Sequence, residues 1–244
     1  RGLGDVYKRQ ANLCGFGKSV IQAVLEGKVE QLVLVNCCDS MRRVYDIVES
    51  TGKCKFLYML DMPHEDNDCE KVKLAQGIHR LKKAYEKFSG KTFDRSGFLN
   101  AFSHEPVDNQ PYIGVLGVRV SGILEKMIRD NIRMDVENLT CTGGRRLAVI
   151  REELEKMEDD AMFLAYADAL LSQMPCFRMN NSTRRNRLYL DPNLKGIIYH
   201  TIKFCDYYGF EYASIKRDIK VPLLKIETDF TSQSAGQLLT RVQA

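Results

Sequence analysis

The sequence predicts an α/β protein in which parallel sheets form two lobes. Apolar runs at residues 31–36, 56–60 and 112–118 have the length and composition of buried strands, and similar runs start at Gly196 and occupy residues 222–226. Segments with helical spacing of apolar side chains separate these runs. Because strands that alternate with helices pair in parallel through right-handed crossovers, this order indicates parallel sheets.

The first lobe is expected at residues 11–88. Its helices place apolar residues three or four positions apart, as at Val20, Ile21, Val24 and Leu25. Its elements in order are a turn and helix over residues 11–28, the strand at 31–36, a helix capped by Asp39 or Ser40, the strand at 56–60 and a helix over 69–88.

A linker is expected at residues 89–111 and a second lobe at residues 112–244. The linker loses strong periodicity and gathers Gly, Ser, Asn and two prolines, which suits a segment with one short helix. The predicted elements of the second lobe are the strand at 112–118, a helix over 121–130, a strand over 132–136, a loop over 137–146, a helix over 151–173, a helical stretch at 181–190, the strand from Gly196, a helix and the strand at 222–226.

Both ends of the chain are expected to be incomplete parts of a longer fold. Residues 1–10 show no periodicity that joins them to the helical pattern after residue 10, and we interpret them as a non-native segment. Residues 232–244 stop within a helical pattern that has no cap. We therefore expect the first lobe to be truncated on its N-terminal side and the second on its C-terminal side.

Composition narrows the functional classes. The 244 residues are 44% hydrophobic, which is enough to form hydrophobic cores. The 36 basic and 32 acidic residues are well mixed and give a net charge of +4, so composition gives no argument for binding to nucleic acid or to an acidic membrane. The basic run at Arg184, Arg185 and Arg187 is expected to be a solvated helix face. The chain has no apolar run of membrane-spanning length and no leader pattern, so we expect a cytoplasmic protein with reduced cysteines.

Several common motifs are missing. The residues around Gly17 look like a phosphate-binding loop, but that loop needs a glycine where Asn12 stands and a strand before it. Gly114, Gly117 and Gly122 do not have dinucleotide-binding spacing. The sequence contains no HExxH pair, no CxxC pair and no GxSxG elbow, so zinc sites and hydrolase chemistry have no local support.

The cysteines are placed where a parallel sheet would gather them. Cys37 and Cys38 directly follow one predicted strand, Cys205 follows another, and Cys14 opens a helix whose N-terminal amides favour negative charge. Thiolates at these points could share one inorganic cluster. The alternative is that they are ordinary small core residues. We assign no role to the remaining pair, Cys54 and Cys69.

Three stretches carry a family resemblance: residues 12–27 (NLCGFGKSVIQAVLEG), 34–48 (LVNCCDSMRRVYDIV) and 203–244, which starts KFCDYYGF and ends TRVQA. The turns at residues 140–146 and 174–176 carry part of the same resemblance. Together these stretches resemble the subunits of 2-hydroxyacyl-CoA dehydratases and benzoyl-CoA reductases, typified by the 2-hydroxyglutaryl-CoA dehydratase D component.

The resemblance implies two flavodoxin-like lobes with a 4Fe-4S cluster between them, bound by Cys14, Cys38 and Cys205. Three thiolates for four irons would leave one iron position open. The implied reaction is the radical syn-dehydration of a 2-hydroxyacyl-CoA to an enoyl-CoA through a ketyl, after an ATP-hydrolysing activator protein delivers an electron. A homologous subunit would complete an oxygen-sensitive dimer of anaerobic metabolism.

Two alternatives to this interpretation stay open. Cys37, Cys141 and Cys176 depart from the three-cysteine pattern, and some relatives of the dehydratases use more cysteines to hold a double-cubane cluster in ATP-dependent reductases of small substrates. The chain could also be a relay subunit that holds a cluster and converts nothing. The sequence names no catalytic base, since Asp39 and Asp206 could either orient ligands or cap helices.

Overall fold

The structure is a computed structural model that describes residues 13–100, 110–141, 143, 151–173 and 176–229. The described residues divide into two units. Residues 13–19, 110–141, 143 and 182–229 belong to one, which we call the four-stranded unit, and residues 20–100, 151–173 and 176–181 belong to the other, the two-stranded unit. The expected segment at residues 1–10 and the chain end at 232–244 lie outside the described residues.

The two-stranded unit contains a short parallel sheet flanked by helices. Its elements in chain order are helix α1 (Gly15–Leu25), of which residues 15–19 belong to the other unit, strand β1 (Gln31–Val35), helix α2 (Asp39–Thr51), strand β2 (Phe56–Leu60), helix α3 (Asp68–Ser89) and helix α4 (Arg95–Asn100). β1 and β2 pair in parallel from Gln31 with Phe56 to Val35 with Leu60. Both strands lie where the sequence predicts them.

The four-stranded unit is built on a parallel sheet with strand order β4-β3-β5-β6. Its elements are β3 (Tyr112–Gly117), α5 (Gly122–Asn131), β4 (Asp135–Asn138), a 3-10 turn (Ser182–Arg185), helix α8 (Asn186–Tyr189), β5 (Leu194–Ile202), α9 (Asp206–Ile215) and β6 (Leu223–Thr228). Two further helices, α6 (Arg151–Leu154) and α7 (Asp159–Ser172), belong to the two-stranded unit. The predicted α/β class with parallel sheets, consistent with two flavodoxin-like lobes, is confirmed.

The predicted helix over residues 151–173 is wrong in one respect, because it is broken between Leu154 and Asp159. The Arg95 guanidinium donates to the Leu154 carbonyl at 2.9 Å and also to the carbonyl of Met157. It forms an ion pair with Asp159 at 2.7 Å as well. The last carbonyls of a helix have no partner within it, and Arg95 supplies one for those after α6. Arg95 also pairs with Asp159 at the start of α7, so one side chain stabilises the break between the two helices.

Each unit has its own apolar core. In the four-stranded unit, Val115 and Ile198 of the sheet pack with Ile128 of α5. In the two-stranded unit, Leu74 of α3 packs with Phe163 of α7. This packing groups α7 with the first half of the chain, whereas the sequence pattern assigns it to the second lobe. The described units are therefore discontinuous in sequence.

Two smaller predictions need correction. The predicted strand over residues 132–136 lies at Asp135–Asn138, because α5 continues to Asn131 and β4 pairs with β3 only from Asp135 onward. The predicted helical stretch at residues 181–190 is present as a 3-10 turn followed by α8. Among the helices of the described ranges, none is both long enough and apolar enough to cross a membrane.

Candidate functional site

Three of the predicted ligands share one structural position. Cys38 and Cys205 are the N-cap residues of α2 and α9, and Cys14 directly precedes α1. The first amides of a helix have no partner within the helix and create a partial positive charge. In proteins generally, this partial charge favours a thiolate at a helix start.

Of the two roles left open for Asp39 and Asp206, the helix-cap role is wrong by one residue. The Cys38 carbonyl accepts the amides of Met41 and Arg42 at 3.0 and 3.2 Å, so α2 begins after Cys38 and Asp39 is its first residue. Asp206 likewise occupies the first position of α9. Both carboxylates still favour the positive end of the helix.

Cys37 and Cys38 form a thiol–thiolate pair in the two-stranded unit. The Cys37 thiol donates a hydrogen bond to Cys38, and this bond, with the amides of Met41 and Ser40, lowers the pKa of Cys38 to about 6 despite burial. The same bond and burial raise the pKa of Cys37. Cys38 is therefore the anionic sulfur of the pair near neutral pH, which is the form that binds metal.

Cys176 lies close enough to this pair to interact with it electrostatically, since a negative charge on Cys176 further raises the pKa of Cys37. The segment after Cys176 is tied to the loop that follows β2. The bonds are Arg178 Nη1 to the Pro63 carbonyl at 3.1 Å, His64 Nδ1 to the Arg178 carbonyl at 3.1 Å, the Asn180 amide to the His64 carbonyl at 2.8 Å, and Asn180 Nδ2 to Glu65 at 2.8 Å. These bonds explain how a cysteine distant in sequence comes to the carboxyl ends of β1 and β2.

In the four-stranded unit, a tight turn after β5 presents Cys205. The Cys205 amide donates to the Ile202 carbonyl at 3.0 Å, and the Lys203 amide donates to the Thr228 carbonyl at 3.2 Å. Phe204 within this turn has a φ of 66°, a left-handed conformation that is costly for a side chain with a Cβ. Such strain persists where the surrounding structure enforces a particular geometry.

Gly15 brings Cys14 close to the carboxyl end of β6, in the same unit as Cys205. A Cβ on Gly15 would lie 2.3 Å from the carbonyl oxygen of Asp229, directly after β6, so only glycine allows this close approach. The Gly17 amide donates to Cys14 Sγ at 3.4 Å. The Lys18 ammonium lies 5.8 Å from the centre of the Phe204 ring, which associates the start of α1 with the Cys205 turn.

Cys141 follows β4, also at the carboxyl ends of the strands. Its amide donates to the Gly117 carbonyl at 3.1 Å, and its sulfur accepts the Arg119 amide at 3.2 Å. The Arg119 guanidinium lies 5.1 Å from the centre of the Phe16 ring. Arg119 therefore contacts both Cys141 and the residue two positions after Cys14. Of the turn at residues 140–146, only Thr140, Cys141 and Gly143 lie within the described residues.

The six cysteines singled out by the sequence thus fall into two sets. Cys14, Cys141 and Cys205 belong to the four-stranded unit, and Cys37, Cys38 and Cys176 belong to the two-stranded unit. All are thiols, without disulfides. Within the ranges that the structure describes, no three His, Cys, Asp or Glu side chains are arranged to share a single metal ion. Cysteine sulfurs are nevertheless the donors that an iron–sulfur cluster takes, and the Cys14 sulfur accepts a backbone amide at a helix start.

A family model described as 2-hydroxyglutaryl-CoA dehydratase, D-component, matches residues 3–106 and 107–244. This chain belongs to that family. A putative dehydratase subunit, YjiM of Escherichia coli strain K12, is 27% identical in an alignment of 148 residues that covers 57% of this chain and 37% of that protein. The matched region therefore spans little more than a third of the curated relative.

In this member of the D-component family, sequence reasoning missed a buried ionic network around Glu211 of α9, the helix that Cys205 caps. Arg185 donates through Nε and Nη2 to the carboxylate of Glu211 on α9, with Nη2 at 3.0 Å. The Tyr189 and Tyr199 hydroxyls donate to the same carboxylate at 2.7 and 2.5 Å. Arg185 is only 2% exposed, so the prediction of a solvated basic face is wrong for this residue.

His200 forms a second buried contact at the end of β5. Its Nδ1 donates to the Val118 carbonyl at 3.0 Å and its Nε2 lies 2.8 Å from the Thr228 hydroxyl. Burial lowers the pKa of His200. The two cysteines without an assigned role lie apart from these contacts in the structure: Cys54 precedes β2 and Cys69 is exposed in the first turn of α3.

Proposed function

We propose that this chain is the iron–sulfur subunit of a 2-hydroxyacyl-CoA dehydratase, which converts a 2-hydroxyacyl-CoA to an enoyl-CoA by radical syn-dehydration. Cys14, Cys38 and Cys205 are the proposed ligands of a 4Fe-4S cluster. A homologous subunit and an ATP-hydrolysing activator protein are the proposed partners. Membership of the D-component family supports the dehydratase class.

One observation carries the proposal beyond family membership. The three cysteines that the resemblance selects each stand at a helix N-terminus, although they are far apart in sequence. Cys54, which it does not select, precedes a strand, and Cys69, also not selected, is exposed in the first turn of α3, two residues after the N-cap Asn67. Helix starts stabilise the thiolates that iron requires.

The chain's own residues have limited tasks in this proposal. The Gly17 amide donates a hydrogen bond to the Cys14 sulfur, and the Cys37 thiol keeps its own proton and donates it in a hydrogen bond to the Cys38 thiolate. The turn at Phe204 fixes the direction of Cys205. When bound, the cluster would supply a low-potential electron and an open iron position beside the thioester.

Iron analysis tests the cluster directly. Protein purified and reconstituted without oxygen should bind about four irons per chain, as one cubane contains. Replacing Cys14, Cys38 or Cys205 by serine should lower the iron content and bleach the brown colour. Cys54→Ser and Cys69→Ser are matched controls that should keep both. Colourless, iron-free wild-type protein would sink the proposal.

Activity separates the dehydratase from a relay subunit. The chain should be produced with its partner subunit and supplied with the activator, ATP and a 2-hydroxyacyl-CoA. The dehydratase proposal expects enoyl-CoA that disappears when Cys38 is replaced by serine. A complex that keeps its cluster yet forms no enoyl-CoA from any 2-hydroxyacyl-CoA offered would favour the relay role.

The division of six cysteines into two sets of three favours a second candidate, a double-cubane ATP-dependent reductase of small substrates. That function expects about eight irons per chain, because two cubanes contain eight. It also expects serine replacements of Cys37, Cys141 and Cys176 to remove iron as effectively as those of the first three. About four irons that survive these replacements would exclude it.

A further inference from the structure

Phe204 combines a strained backbone with an exposed aromatic ring. Among the residues that the structure describes, it is the one non-glycine residue with a positive φ, 66°. This left-handed region costs free energy for a residue with a Cβ, and glycine or asparagine is more usual there. Burial does not account for phenylalanine at this position, because Phe204 is 53% exposed. An outlier of this kind points to a function of the side chain.

The ring of Phe204 contacts Lys18. The Lys18 ammonium lies 5.8 Å from the centre of the ring, within the range of a cation–π contact. The Lys18 amide donates to the Cys14 carbonyl at 3.0 Å in the first turn of α1. Because a peptide bond joins Phe204 to Cys205, these contacts form a short path from one proposed ligand to another.

The end of β6 supplies a second link between the same two segments. The Thr228 carbonyl accepts the Lys203 amide at 3.2 Å, within the turn that presents Cys205. The next carbonyl, that of Asp229, lies so close to α1 that its oxygen would be 2.3 Å from a Cβ on Gly15. Consecutive residues at the end of one strand therefore meet the segments that carry both proposed ligands.

We propose that Phe204 is a positioning residue whose ring, held by Lys18, sets Cys205 in register with Cys14 for one iron–sulfur cluster. The strained backbone lets one turn direct the ring toward α1 and the cysteine toward the cluster. The inference rests on the proposed function in one respect, the presence of that cluster. Phe204 is no ligand of iron and contacts no substrate in this role.

The test compares the stability of the full chain with its retention of iron. Circular dichroism gives the melting temperature of the iron-free protein, and a ferrous chelator gives the rate of iron loss after anaerobic reconstitution. Phe204→Gly relieves the backbone strain and removes the ring. We expect it to melt at or above the wild-type temperature and to lose iron at least about twofold faster. A residue that serves only the fold would change both properties in the same direction.

A double-mutant cycle isolates the contact between the two side chains. Phe204→Ala removes the ring and keeps the strained Cβ, and Lys18→Met removes the ammonium but keeps an unbranched apolar chain. Each should speed iron loss about two- to fivefold, the size of an exposed cation–π contact. The double variant should lose iron no faster than Phe204→Ala alone, because both residues act through one contact.

Two further variants serve as controls. Phe204→Tyr keeps an aromatic face for the ammonium and should show the wild-type rate of iron loss. Phe210→Ala removes an aromatic side chain from a position on α9 that is 70% exposed, and it should leave the rate unchanged.

The outcomes distinguish this inference from the proposed function. Iron-free wild-type protein would overturn both. Wild-type rates of iron loss in Phe204→Gly and Phe204→Ala would overturn the role of Phe204 and leave the cluster proposal standing. Additive effects of Lys18→Met and Phe204→Ala would also overturn it, as would a melting temperature of Phe204→Gly that falls together with its iron retention.

Discussion

Replacing Glu211 by glutamine should destabilise the four-stranded unit more than any exposed charge change. Glu211 is 1% exposed and accepts hydrogen bonds from Arg185, Tyr189 and Tyr199. Burial alone would lower the pKa of Arg185, but the Glu211 charge more than offsets it and raises that pKa. Without the carboxylate, the buried guanidinium loses the charge that compensates it.

The expected cost is about 3–5 kcal/mol, the range for breaking a buried ion pair from one side. For a chain of this size, that corresponds to a fall in melting temperature of about 6–20 °C. Asp130→Asn is the matched control, because Asp130 and its partner Lys126 are both exposed and such pairs contribute only about 0.5 kcal/mol.

The assay is thermal unfolding followed by circular dichroism, with wild type, Glu211→Gln, Arg185→Met and the double variant measured together. The double variant should lose much less than the sum of the two single changes, since it removes both buried charges. A Glu211→Gln protein that melts within about 2 °C of wild type would refute the reasoning, because a cost below about 1 kcal/mol belongs to an exposed pair.

Three further changes have defined outcomes in the same assay. Gly209→Ala within α9 should stabilise by about 0.5–1 kcal/mol, because a Cβ there meets no atom within 4 Å. Gly52→Ala should destabilise by about 1 kcal/mol, because Gly52 has a φ of 62°; a gain in stability would contradict this. Burial lowers the pKa of His200, so the unfolded chain binds the extra proton and stability falls as pH drops below about 6.5. His200→Gln should remove that loss, up to about 1.4 kcal/mol per pH unit, and an unchanged acid dependence would argue against a neutral buried imidazole.

Periodicity was enough to predict most of the fold. Five-residue apolar runs such as Phe56–Leu60 carry their own strand signal, and the predicted bounds of that strand match the structure. The break between α6 and α7 could not be predicted in this way. It depends on Arg95, which reaches carbonyls and a carboxylate about sixty positions later in the chain.

The cysteines show the same division between local and distant signals. The positions of Cys38 and Cys205 at helix starts follow from the strand and helix pattern alone. The surroundings of Cys176 depend on bonds between Asn180 and the loop at His64, and no local pattern reports them. Arg185 is a similar case, because an arginine in a basic run is solvated unless a distant Glu211 receives it.

The most direct test of the account is the iron content of the anaerobically reconstituted protein, measured for wild type, Cys205→Ser and Cys54→Ser side by side. The account predicts about four irons in wild type and Cys54→Ser and a clear loss in Cys205→Ser. Equal iron in the two variants, or none in wild type, would contradict the claim that Cys205 binds a cluster.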